Sequence, residues 1–217
     1  MQAIGSALDS AMGSILQDLS RSQGTSEQEQ TPKEQKRPLS YESFEDVAGY
    51  LSKRGWTEAV AGEDYFTCIK AFNRAMSFKS PQRRMGLIIT GAYGCGKTMF
   101  CDNLPIRFQK IDLTIPETVE WIDGQGGYAS SINEMCESNI LLDDLGAENI
   151  KNEYGVKRDI AGEFICRYHT RGKGRLFITT NLTGEQLLDR YGGRVVDRLK
   201  QMCVPVRMTG TSKRKWL

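Results

Sequence analysis

The sequence predicts an α/β fold, a parallel sheet of five strands held between helices. Three observations carry this reading. Short apolar runs alternate with stretches of helical spacing, which is the pattern of a parallel sheet covered on both faces. One run, MGLIITG at 85–91, ends in a glycine-rich turn. Another, NILLDD at 139–144, ends abruptly in two carboxylates.

Taken in order, residues 1–19 place Ile4, Leu8, Met12, Ile15, Leu16 and Leu19 at spacings of three and four, an amphipathic helix. Ser20 to Pro38 carries no large apolar residue, so 20–40 is expected to be a disordered polar linker. A short apolar helix on such a tether either docks to a partner or folds back on the core. Residues 41–217 are then the main domain. Tyr41 to Lys79 is mostly helical, with Phe66, Ile69, Phe72 and Met76 on one face. Strands are predicted at 85–91, 106–114, 139–144, 175–181 and 203–208, and a helix at 156–168. There are no internal repeats.

The first strand runs into GAYGCGKT, Gly91 to Thr98, which fits G-x-x-x-x-G-K-[ST] at every fixed position. Glycines let the backbone wrap closely, so that the N–H groups of Gly91, Ala92, Tyr93, Gly94, Cys95, Gly96, Lys97, Thr98 and Met99 can surround phosphate oxygens. Lys97 would reach the terminal phosphates, and the Thr98 hydroxyl would ligate Mg²⁺. These residues define a P-loop nucleotide site for ATP and Mg²⁺. Cys95 lies at a helix N-terminus beside Lys97, a setting that lowers a thiol pKa. It is either a redox-sensitive element or a small side chain that fits.

At the acidic strand end, Asp143 is the natural second ligand of the Mg²⁺ on Thr98, since buried carboxylates need compensation. Asp144 would accept a proton from the attacking water. RLFITTN offers a third strand ending in Thr179, Thr180 and Asn181. If the sheet places it between the other two, Asn181 sits beside the terminal phosphate and orients water.

Composition bounds the rest. Hydrophobic residues make up 39% and charged residues 26%, a soluble globular balance. No apolar run approaches a membrane span, and Asp9 and Asp18 argue against a signal peptide. Six cysteines without a CxxC pair, and a single histidine, argue against structural zinc and for reduced thiols in a cytoplasmic protein. Residues 1–150 carry 14 Lys/Arg and 21 Asp/Glu, whereas 151–217 carry 15 and 6. The basic C-terminal third is either a phosphate-facing surface or a solvated face. Candidate nucleic-acid contacts are Lys151, Lys157, Arg158, the turn Arg171-Lys173-Arg175, and Lys213-Arg214-Lys215, with Tyr154 able to stack a base. His169 reads as structural.

Together GAYGCGKT, LLDDLGAE, FITTNL and YGGRVVDRLKQM resemble the AAA+ ATPases of the DnaC helicase-loader and IstB transposase-helper group, over about residues 80–208. The resemblance implies an ASCE-type AAA+ sheet with ATP at the subunit interfaces of a homo-oligomer, each site completed by an arginine from the neighbour. It implies a hexameric replicative DNA helicase and single-stranded DNA as partners, with helicase contact through an N-terminal segment. Only 36 residues follow Asn181, too few for a C-terminal helical lid domain. In the family pattern the trans arginine matches Arg198, with Arg194 one turn earlier on the same helix face supporting it or contacting phosphate. Asp143-Asp144 matches the loader form of the second motif.

A helicase loader is the leading expectation. An IstB-like ATPase helper of a DNA transposase shares the chemistry but needs duplex DNA. A non-hydrolysing nucleotide switch is the alternative from another class. A small-molecule kinase is disfavoured, since nothing reads as an acceptor-binding lid.

Overall fold

The computed structural model describes residues 44–78, 84–123, 135–149, 151–153 and 156–214. The chain divides into two units, Met1–Pro38 and Leu39–Leu217. The predicted helix at 1–19 and linker at 20–40 lie outside the described residues.

The second unit runs α1 (Phe44–Lys53), α2 (Glu58–Ala61), α3 (Asp64–Ser77), β1 (Gly86–Gly91), α4 (Lys97–Asn103), β2 (Gln109–Asp112) and α5 (Pro116–Asp123). It continues with β3 (Ile140–Leu145), β4 (Lys151–Glu153), β5 (Val156–Arg158), α6 (Ile160–Arg171), β6 (Leu176–Thr180), α7 (Gly184–Met202) and β7 (Cys203–Met208). Five strands form one sheet in the order β2-β3-β6-β1-β7, with every neighbouring pair parallel. Each predicted strand is present, and β6 lies between β3 and β1.

Side chains alternate across a strand, so a strand buried on both faces feeds two cores. Leu87 and Ile89 of β1, Leu141 of β3 and Phe177 of β6 enter one core with Trp56, Phe72 and Phe100. Ile88, Ile140, Leu142, Leu176 and Ile178 enter the other, under Phe164, Ile165 and Leu199 of α6 and α7. This is why β1, β3 and β6 read as continuous apolar runs rather than alternating ones.

Two expectations need correction. The helix predicted from 156 begins at Ile160: Val156–Arg158 instead pairs antiparallel with Lys151–Glu153. Asp159 sets the boundary as N-cap, its side chain accepting from the Gly162 N–H at 3.1 Å. On α3 the buried stripe is Tyr65, Cys68, Ile69, Phe72 and Ala75, so Phe66 lies on its flank and is exposed. Among the described residues no helix is long and apolar enough to cross a membrane.

Candidate functional site

The sheet order brings the three motif-bearing strand ends to one edge. β1 ends at Gly91, and α4 begins at Lys97 after a turn in which Gly94 and Gly96 take φ of 77° and 105°. Side chains other than glycine rarely adopt that left-handed region, so Gly96, a fixed position of the motif, and Gly94, a variable one, both meet a backbone requirement.

Lys97 is buried. Its Nζ donates to Gly91 O at 3.0 Å, Ala92 O at 2.9 Å and Asn181 Oδ1 at 2.7 Å. All three acceptors are neutral. With Cys95 Sγ 4.0 Å away as its other partner and no carboxylate in direct contact among the described residues, the ammonium is placed to meet an anion, so the loop fits a phosphate group. Beside it, Thr98 Oγ1 donates to Asp143 Oδ1 at 2.9 Å. A hydroxyl and a carboxylate are the hard oxygen donors that Mg²⁺ takes.

Asp143 and Asp144 separate because the ladder breaks. The β3–β6 register shifts between Leu142 and Leu145, and Asp144 adopts φ 56°. Aspartate tolerates that region better than most residues. Asp143 stays buried beneath the loop, where Thr179 Oγ1 donates to its Oδ1 at 2.6 Å and Lys110 Nζ pairs with its Oδ2 at 3.0 Å. Burial acts to lower the Lys110 pKa, but the hydrogen bond and charge of Asp143 outweigh it and the net shift is upward. Asp144 turns into the cavity, and its N–H donates to Thr179 Oγ1 at 2.9 Å. Asn181 Nδ2 approaches Asp144 Oδ1 at 3.4 Å. Burial, reinforced by the adjacent Asp143 charge, raises the Asp144 pKa above the ordinary aspartate value.

The cavity they face has a volume of about 250 Å³ and is lined by Tyr93, Gly94, Gly96, Lys97, Thr98, Met99, Asp144 and Asn181, together with Lys213 and Arg214. Gly91 and Ala92 line an adjoining hollow that shares Asn181. Cys95 instead points into the core and is fully buried, which favours packing over redox sensing.

Arg194 and Arg198 line neither cavity. Gly192, at φ 77°, divides α7, and both arginines follow that kink. Arg194 lines a larger hollow of about 510 Å³ together with Asp159, Glu163, Cys166 and Arg167 of the α6 region. Arg198 Nη1 donates to Cys166 Sγ at the same α6–α7 junction.

Several basic residues singled out as nucleic-acid contacts serve the fold. Arg158 pairs with Asp123 at 2.9 Å and Glu163 at 2.7 Å, because β5 points it back at α5 and α6. Arg175 donates to the carbonyls of Ala75 and Met85, and burial lowers its pKa. Lys173 pairs with Glu137 at 2.7 Å, while Arg171 is exposed. This turn precedes β6, so it lies at the sheet end opposite the phosphate loop. Tyr154, Lys215 and the side chains of Lys151 and Lys157 lie outside the described residues.

The partners of three contributors are not legible in a single sequence, although Thr179 lies in FITTNL and Glu148 in LLDDLGAE. Lys110 and Thr179 act across strand neighbours, and sequence spacing does not reveal which strands pair. Glu148, buried, accepts from the Gly146 N–H at 2.8 Å and from the Tyr191 hydroxyl, and pairs with Arg190 at 3.3 Å. It joins the loop after β3 to the residues before the α7 kink.

A phosphate loop after β1, an acid pair after β3 and a polar strand end between them form a P-loop-type site at the C-terminal ends of a parallel α/β sheet. The chain is similar to the crystal structure of DnaI, at 18% identity and TM-score 0.50, over 68% of this chain and 86% of that one. It is also similar to a proposed primosome component from Streptococcus pyogenes serotype M3, at 16% identity and TM-score 0.52, over 71% and 85%. The resemblance read from the motifs thus holds at the level of the fold. A structure of the DnaC helicase loader aligns at 18% identity and TM-score 0.48, over 68% and 91%. Neither the protein-family models nor the curated protein sequences give a match.

Proposed function

We propose that this chain binds and hydrolyses ATP as a homo-oligomer with ATP at its subunit interfaces, and delivers a hexameric replicative DNA helicase onto single-stranded DNA. The observation that carries the nucleotide reading is the buried Lys97 ammonium held by three neutral oxygens next to Asn181 and Asp144. The motif forms DDLG and TTNL support the loader reading of that site.

Bound ATP with Mg²⁺ supplies the phosphoanhydride bond and a divalent charge on its oxygens, with Thr98 and Asp143 as the metal-holding residues. Lys97 supplies positive charge where negative charge accumulates. Asn181, bonded to Lys97 through Oδ1 and to Asp144 through Nδ2, aligns the cation with the carboxylate. Asp144 takes the proton of the attacking water on its carboxylate. Thr179 holds both strand-end residues through Asp143 Oδ1 and the Asp144 N–H. Arg198 of the adjacent subunit supplies the remaining positive charge, and Arg194 supports it.

The test uses a hexameric replicative helicase and closed circular single-stranded DNA. With ATP, the intact chain is expected to increase helicase retained on the circle, and Lys97→Ala is expected to lose that effect. Retention that ignores both chain and ATP refutes the loader reading. ATP-dependent assembly on duplex DNA with no helicase effect selects the transposase-helper alternative.

A further inference from the structure

We propose that the segment after β7 is part of the nucleotide site, with Lys213 and Arg214 contacting the polyphosphate of a bound nucleoside triphosphate. The inference rests on the ATP reading above.

β7 runs parallel to β1 in a register that sets Gly91 beside Met208, so the chain leaves the sheet at the phosphate-loop edge. Two attachments then fix its course. The first is Asp64, at 2% exposure, whose carboxylate accepts from the Thr209 N–H at 2.8 Å, the Thr209 hydroxyl at 3.2 Å and the Gly210 N–H at 2.9 Å. A buried carboxylate bonded in this way holds the backbone it accepts from. The second is in the phosphate loop itself: the Lys213 N–H donates to Gly94 O at 2.9 Å. Ser212 packs so closely there that a Cβ on Gly94 would lie 2.3 Å from its Oγ. Gly94 is therefore constrained by its left-handed backbone and also by the tail crossing it.

The tail carries charge to the cavity. Lys213 and Arg214 line the same hollow as Lys97 and Asp144. Lys213 Nζ donates to the Val60 carbonyl and lies 3.8 Å from the Cβ position of Gly96. Among the described residues neither cation has a salt-bridge partner, and Asp144 is the one carboxylate lining the cavity. Three cations against one carboxylate suit a polyanion. Charge-assisted contacts of this kind change affinity by about tenfold or more.

The experiment measures equilibrium binding of ATP and of adenosine to the full chain at fixed salt, for the parent, Lys97→Ala, the double variant Lys213→Ala/Arg214→Ala, and Asp64→Ala. Both tail cations are exposed, so the double variant is expected to melt like the parent. It is expected to bind ATP about tenfold more weakly with adenosine unchanged, and Lys213→Arg/Arg214→Lys is expected to retain parental affinity. Asp64→Ala should weaken ATP in the same direction and speed amide exchange at 209–213. Parental ATP affinity in the double variant, with binding lost in Lys97→Ala, overturns the tail proposal and leaves the ATP reading standing. Equal weakening for ATP and adenosine also overturns it, because phosphate charge would not be what the tail reads. Absence of ATP binding by the parent overturns the ATP reading, and the tail proposal with it.

Discussion

Asn181 touches both halves of the proposed chemistry, accepting from Lys97 Nζ at 2.7 Å and approaching Asp144 at 3.4 Å. If Asp144 is the base, Asp144→Asn removes the proton acceptor while keeping the size of the side chain. Steady-state phosphate release should then fall by about 100-fold or more, with ATP binding nearly unchanged. Unaltered turnover would favour the nucleotide switch. The thiols give a second prediction. Cys166 is half-buried, whereas Cys68, Cys95, Cys101, Cys136 and Cys203 are buried. Burial, helped by the Asp64 charge, pushes the Cys68 thiol up to about 12, and burial raises Cys101 and Cys203 as well. Alkylation of the native chain at pH 8, read by mass spectrometry, should label Cys166 first; early labelling of Cys95 would contradict its packing role. At this scale the phosphate-loop residues were legible because their roles follow from fixed spacing along the chain. Lys110 on Asp143 was not, because that contact exists only once β2 lies beside β3.

The strands were legible from their apolar runs, and the two cores explain why. Phe177 projects from the central β6 into one core with its ring 4.7 Å from that of Phe108. Phe177→Ala should lower unfolding stability by about 3–5 kcal/mol in a denaturant titration. A loss below 1 kcal/mol would mean that core is not packed as described. β5 falls inside the helix predicted at 156–168, because Val156 to Tyr168 keeps a helical apolar spacing from Ile160 onward and nothing local marks the switch except Asp159. The α7 kink was missed for a similar reason: the two glycines at 192 and 193 sit inside an otherwise helical pattern. Gly192 holds φ 77°, so Gly192→Ala should cost about 1–2 kcal/mol. A more stable Ala variant would show that the helix prefers to run straight. The capping box of Thr183 and Gln186 fixes the other end of α7 beside the site. The kink therefore decides where Arg194 and Arg198 point.

As a whole, the molecule carries the candidate phosphate site at one end of the sheet and, between α6 and α7, a second hollow lined by Arg194, with Arg198 bonded to Cys166 at that junction. That separation is what an ATPase completed by its neighbour requires, since Arg198 lines no cavity of its own loop. Arg198→Ala alone is expected to leave ATP binding close to parental and to abolish turnover that depends on assembly. The measurement that tests this most directly mixes two inactive chains, Asp144→Asn and Arg198→Ala, and follows phosphate release. In a mixed assembly an Arg198→Ala subunit keeps its own Asp144 and receives an intact Arg198 from an Asp144→Asn neighbour. Turnover should therefore reappear on mixing and rise with total protein concentration. Two chains that stay inactive together, or an Arg198→Ala chain that is fully active alone, would contradict a site shared between subunits.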